Sequence, residues 1–336
     1  MKNKINATIF IITIFIIILS NSCKKENNNK GNTQIPEPDW VVQDIDSTLF
    51  SFNKILFKDT LRGWILGDEG TYVTTTDGGE NWEASLLSDV NLYDMFYLNA
   101  LKAWIVGDNN TILFSSNDCE SWAPQTIAAN ADLKNIFFAD GLNGWAVGTS
   151  DENPSVILRT FNGGTGGNGW LPQTPPENEF DLNGVFFINQ FEGWVVGDHG
   201  TLFRTINGGT DWTVQSSNTT EKLNVVCFMN DEIGCIVGDR GTYLFTYDGG
   251  ENWYFPYPFS PFEITDIYFF DDSHGWAVGL NGTVFYTQNA GGDWLDQNSE
   301  TISTLNSVFF SNLYFGWAVG ETPDSKGLLL KFVDND

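Results

Sequence analysis

The sequence predicts an all-β protein, a seven-bladed β-propeller with four-stranded blades. Three observations predict it. The phrase Gly-Trp-x-x-Gly recurs at Trp64, Trp145, Trp194, Trp276 and Trp317, and Ala103-Trp104 and Gly234-Cys235 fill the two gaps. The steps between these positions are 40, 41, 49, 41, 41 and 41 residues, and a period near 40 made of short strand patterns marks propeller blades. The last period lacks a fourth strand, and a matching strand pattern stands ahead of the first.

In chain order, residues 1–22 are expected to be a lipoprotein signal peptide. Lys2 and Lys4 precede an apolar run from Ile9 to Leu19 that only Thr13 interrupts, too short to span a bilayer comfortably. Leu19-Ser20-Asn21-Ser22-Cys23 resembles a bacterial lipoprotein cleavage box, which implies a mature chain beginning at an acylated Cys23. Ordinary secretion with a free Cys23 is the alternative. Residues 23–38 form a polar tether without apolar periodicity, and residues 39–336 form the propeller. The expected location is the bacterial cell envelope, with the membrane touched only through the lipid anchor.

Composition narrows the function classes. The chain has 43 acidic and 16 basic residues, a formal net charge of -27. Such a field repels nucleic-acid phosphates and anionic lipid headgroups, so no nucleic-acid partner is expected. No nucleophile motif, metal-ligand spacing or phosphate loop appears, so the sequence implies no catalytic residue, no metal and no cofactor.

One repeat shows how a blade is built. Leu182–Ile188, Gly193–Asp198 and Thr201–Thr205 read as three strands, and the residues after Trp212 supply a fourth. The third turn carries the most specific motif. Thr75-Thr76-Asp77-Gly78-Gly79-Glu80-Asn81-Trp82 fits Ser/Thr-x-Asp-x-Gly-x-x-Trp, and Thr246, Asp248, Gly250 and Trp253 repeat it. Asp or Asn accepts from turn amides, Gly supplies positive φ, and Trp covers the hairpin.

On these residues the chain resembles the Asp-box, or bacterial neuraminidase repeat, propellers. With Gly-Trp-Ala-Val-Gly and Gly-Asp-x-Gly-Thr added, it looks most like the photosystem II assembly and stability factor family, over about residues 39–336. The resemblance implies a non-catalytic binding module that helps to assemble or stabilise an envelope complex. That family sets basic residues against its membrane-protein client, at positions matched here by Arg159 and Arg204 alone.

Ring closure and one disulfide are further expectations. Asp39-Trp40-Val41-Val42-Gln43 parallels Asp211-Trp212-Thr213-Val214-Gln215, so the first segment is expected to pair with 327–333 and complete blade 7. Blade 5 exchanges two bulky positions together for Cys227 and Cys235, which suggests a cross-strand disulfide; two buried thiols are the alternative.

The turns between second and third strands share one end of the ring with the blade crossings. That face carries Asp68, Asp108, Asp198 and Asp239, with Glu321 aligned in blade 7, and two longer loops holding Asp151, Glu152 and Asp324. An incomplete acidic ring there could take a cation or a basic peptide, or each Asp could simply stabilise its turn. Tyr257 and Phe259, in an aromatic and Pro-rich stretch of blade 5, could add an apolar rim for peptide or sugar. The favoured reading is a membrane-tethered propeller that grips a protein or glycan through this face. The alternative is an Asp-box glycoside hydrolase, which would need two carboxylates facing across a cleft.

Overall fold

Each repeat folds into one antiparallel sheet, and seven such sheets form a seven-bladed ring. The computed structural model describes residues 39–45, 50–152, 154–166, 169–177, 179–255 and 258–333. Cys23, the expected signal peptide and the tether lie outside these residues, as does Tyr257. In blade 1 the strands are Phe52–Phe57, Gly63–Gly67, Thr71–Thr75 and Glu83–Leu86, from the channel outward. Blades 2, 3, 4 and 6 repeat this order, starting at Leu92, Asp132, Leu182 and Ile264. Blade 5 keeps three full strands, and its fourth is reduced to a bridge between Phe245 and Tyr254.

Blade 7 closes as the sequence predicts. Its sheet contains Thr304–Asn312, Phe315–Glu321 and Gly327–Val333, and Asp39–Gln43 is its outermost strand. The register runs from Asp39 opposite Val333 to Gln43 opposite Leu329.

The aromatic residues join one blade to the next. In the six blades that carry it, the motif Trp stacks on an aromatic of the following blade's innermost strand. Ring centroids are 3.7 Å apart for Trp104–Phe138, 3.5 Å for Trp145–Phe187 and 3.5 Å for Trp276–Phe310. Trp317–Phe57, at 3.9 Å, does the same across the closing interface. The Asp-box Trp then meets the same ring edge-on, as Trp82 does Phe57 and Trp212 does Phe187. Trp40 takes this place against Phe310 in blade 7, which is why the N-terminal strand substitutes for a C-terminal one.

The motif glycines follow from the same crowding. A Cβ on Gly67 would lie 2.2 Å from the Ser51 carbonyl, and one on Gly320 would lie 1.9 Å from that of Thr304. The second strand thus ends against the backbone that enters its own blade, where only Gly fits.

Blade 5 lacks the stacking Trp and replaces it differently from the expectation. Cys227 and Cys235 do oppose each other in register, but their sulfurs are 3.4 Å apart and both are free thiols. A disulfide needs about 2.05 Å. Met229 N–H donates to the Ile233 carbonyl two residues along, so the Cys pair falls in the hydrogen-bonded class, whose side chains stand wider apart. Burial also pushes the Cys235 thiol well above its usual range, keeping it protonated. The link to blade 6 passes to Tyr243, whose hydroxyl donates to the Gly291 carbonyl at 3.1 Å. In blades 2 and 3 the indole makes a comparable reach, Trp104 to the Gly163 carbonyl and Trp145 to that of Gly208.

Trp40→Ala is expected to cost about 3 to 5 kcal/mol, because it empties a fully buried ring site at the closure. Deleting residues 39–45 should lower the melting temperature further and produce oligomers on size exclusion; unchanged melting and monomeric elution would contradict the closure. Tyr243→Phe should cost about 1 kcal/mol by denaturant unfolding. Tyr72→Phe should cost less, since Trp64 still stacks on Tyr97 across the blade 1 interface.

Candidate functional site

The channel mouth is built from one repeated irregularity. Every innermost strand shifts register after its first or second residue, for example between Phe52 and Lys54 and between Leu305 and Ser307. The skipped residues are Asn53, Tyr93, Lys134, Asn183, Asn224, Thr265 and Asn306. A bulge frees its residue from the ladder and re-aims the side chain. Here the seven side chains ring the channel. They line a cavity of about 290 Å³ together with Lys54, Asp94, Asn135, Val225 and Asp266.

Most of these side chains latch onto the next blade. Asn53 donates to the Leu92 carbonyl at 3.0 Å, Asn183 to Leu223 at 3.0 Å and Asn224 to Ile264 at 2.8 Å. Thr265 donates to Leu305, and Asn306 closes the circle by donating to Phe52 at 2.8 Å.

The expected acidic ring supports the latches. Asp68 accepts the other amide hydrogen of Asn53 at 2.8 Å, and Asp198 accepts that of Asn183 at 2.8 Å. Asp108 accepts from the Tyr93 hydroxyl at 3.1 Å. Blade 6 shows that the turn itself does not need the carboxylate. Leu280 occupies the place of Asp, and the turn keeps the same backbone, with Asn281 at φ 60 as His199 is at φ 54. The Asp side chains therefore orient the ring residues.

Asp239 departs from this pattern. Glu263 takes the Asn224 amide at 2.9 Å and pairs with Lys222 at 2.7 Å, leaving Asp239 3.8 Å from the same ammonium. Burial pushes Asp239 up to about 6, the negative Glu263 adds to that, and Lys222 opposes it.

Below the ring lies an ionic plug of one half-buried lysine and two buried carboxylates. Lys54 stands 3.6 Å from both Asp94 and Asp266. Burial works against its charge, but the two carboxylates outweigh it and hold the ammonium above its usual range. Burial raises Asp94, which also accepts from Asn135 at 2.6 Å and from the Ile136 amide. Asp266 accepts from Ser307 at 2.7 Å and from the Val308 amide. These two carboxylates share one cation and are held by main-chain and side-chain donors.

The other candidates are distributed around this mouth. Asp151, Glu152 and Asp324 are exposed on the two longer loops, and Glu321 ends the second strand of blade 7 opposite Thr304. Phe259 is half-buried, stacked on Trp294 at 5.0 Å and edge-on to Phe285 at 5.1 Å, so its ring belongs to blade packing. Arg159 is buried with its guanidinium 4.0 Å from the Phe161 ring, and Arg204 is held by Glu192 and Glu251. Neither is a free basic contact. Among the described residues no cluster of three metal-ligating side chains occurs.

The sequence reading singled out the acidic turns and missed the ring that they hold. A signal existed. Each ring residue stands eleven positions before the motif residue of its blade, as Asn53 does before Trp64 and Asn306 before Trp317.

The comparisons agree with this architecture. The family described as Photosynthesis system II assembly factor YCF48 matches residues 168–256. The Photosystem II assembly lipoprotein Ycf48 of Synechococcus sp. (strain CC9902) is 31% identical over 87 residues, which cover 26% of this chain and 25% of that protein. The chain is an Asp-box repeat propeller resembling the photosystem II assembly factors. The match spans about a quarter of that curated relative's length. Among solved structures, YCF48 bound to D1 peptide superposes with a TM-score of 0.70 at 21% identity, covering 88% of this chain and 96% of that one. YCF48 from Cyanidioschyzon merolae gives 0.69 at 18% identity, covering 88% and 98%. The RRP9 WD40 repeats reach 0.68 at 11% identity, covering 88% and 97%, so superposition reports the propeller and not the partner.

The raised Asp239 gives a pH prediction. A carboxyl whose folded pKa lies above its ordinary value costs stability once ionised, so the cost is present above about pH 6 and fades as pH falls toward 4. Asp239→Asn should melt higher than the parent at pH 7, and the difference should close by about pH 4 in a pH series of melting curves.

Proposed function

We propose that this protein is a non-catalytic propeller that binds a segment of a membrane-protein client at the channel-mouth face and assists assembly or stability of an envelope complex. The observation that carries the reading is the mouth itself. It is a recessed polar cavity on the face shared by the acidic turns and the two long loops, and its facing carboxylates are bridged by Lys54. Such a surface suits recognition and lacks a free acid and base set across a cleft. The solved YCF48 bound to D1 peptide supports a protein rather than a glycan as the occupant. In a photosynthetic host, D1 would be the client; elsewhere, an envelope protein presenting a comparable segment would take its place.

The same reading places the propeller, residues 39–336, on a tether of residues 23–38 after removal of residues 1–22. An acylated Cys23 would hold it at the membrane where its client resides. The net charge of -27 would otherwise keep the propeller away from anionic lipid.

Photocrosslinking residues placed in the full-length protein test this reading. Positions 152 and 324 on the mouth face, and 211 on the opposite face, should be compared in native envelopes. One integral membrane protein should be captured from 152 and 324 and not from 211. Cys23→Ser should release the protein from the membrane fraction and lower the capture. Capture from position 211 alone, or polysaccharide hydrolysis by the purified protein, would overturn the reading.

A further inference from the structure

We infer that the channel mouth is a receptor for a single protonated side chain, the ammonium of a lysine or the guanidinium of an arginine, presented by the client. The inference rests on the binding function proposed above and specifies the chemistry of its central contact.

The hydrogen-bond inventory of the ring carries it. Asn53 gives one amide hydrogen to Asp68 and the other to the Leu92 carbonyl. Asn183 does the same with Asp198 and Leu223, and Asn224 with Glu263 and Ile264. Asn306 turns its nitrogen toward Phe52. A main-chain carbonyl can only accept, so each amide has one allowed orientation. Asn53, Asn183 and Asn224 spend both amide hydrogens, Asn306 spends one on Phe52, and the four carbonyl oxygens remain. None of these oxygens accepts a hydrogen bond among the described residues, and all four side chains line the cavity.

A lining of unfilled acceptors calls for a partner that only donates. Ammonium and guanidinium groups are the protein side chains that do so while carrying charge. The carboxylates of Asp68, Asp198 and Glu263 sit directly behind three of the amides and draw their dipoles so that the oxygen ends face the mouth as negative poles. The two lysines at the site do not reverse this. Lys54 is bridged by Asp94 and Asp266, and Lys134 is paired with Asp181 at 3.0 Å. A cavity of about 290 Å³ is at the small end of ligand pockets, the scale of one side chain rather than a whole folded segment.

The test uses the full-length, isotope-labelled protein and three probes: Nα-acetyl-lysine amide, Nα-acetyl-arginine amide and the uncharged Nα-acetyl-norleucine amide. Both cationic probes should shift the side-chain amide resonances of Asn53, Asn183, Asn224 and Asn306 saturably, with a Kd on the order of millimolar that weakens with added salt. The norleucine probe should leave them in place. Val225 lines the same cavity and its side chain makes no latch hydrogen bond, so Val225→Lys supplies a tethered ammonium there; it should weaken the cationic probes at least about tenfold, a loss of about 1.4 kcal/mol. Equal shifts with norleucine, or no saturable shift from either cation below about 50 mM, would overturn the inference on the unaltered protein, whatever the variant does. Client crosslinking from positions 152 and 324 that persists while both cationic probes fail would leave the proposed function standing and remove this contact from it.

Discussion

In five of the seven blades one aromatic ring, clamped between two tryptophans, holds the blade to its neighbour. Phe57, Phe138, Phe187, Phe228 and Phe310 each meet the motif Trp of the preceding blade face-on and the Asp-box or N-terminal Trp of their own blade edge-on. Aromatic pairs contribute about 0.5 to 1.5 kcal/mol each beyond the area they bury. Repeated around a ring, that term makes blade-to-blade docking specific as well as strong. It also explains why every repeat but the fifth has two tryptophans, Trp40 being the second for blade 7. One belongs to the blade in which it lies, and the other serves its neighbour.

The channel ring depends on that docking. A bulge residue such as Asn53 reaches the carbonyl of Leu92 only if blade 2 sits at its stacked distance. The polar latches and the aromatic clamps therefore report on the same interface from opposite ends. Where blade 5 loses its Trp, Tyr243 restores a polar link to Gly291, and the latch from Asn224 to Ile264 is kept. The mouth thus retains its geometry although one clamp is incomplete.

Much of this was legible in the chain because it depends on spacing. The blade count, the Asp-box turns and the N-terminal closing strand all follow from aligning short motifs, and Trp40 could be matched to Trp212 by its neighbours alone. The site was less legible because it depends on direction. Asp68 was visible as a turn residue, but its bond to Asn53 crosses two strands, and its purpose shows only when Leu280 makes the same turn without a carboxylate. Phe259 was visible as an aromatic residue, and nothing in its neighbours says that it turns inward to Trp294. The cysteine pair was found by its joint substitution, yet the width of a hydrogen-bonded strand pair is a property of register that composition does not carry.

Asp39 opposite Val333 sets the first and last described residues side by side. Bringing such distant segments together carries a loop-closure cost of roughly 5 kcal/mol for a span of roughly 300 residues. The seventh sheet therefore cannot close until residues 327–333 have been synthesised, because they are the surface that receives the strand at Asp39–Gln43. The same adjacency leaves the starting point of the ring free while its cyclic order stays fixed: linking residue 333 to residue 39 and opening a hairpin elsewhere would keep the pairing of blade with blade.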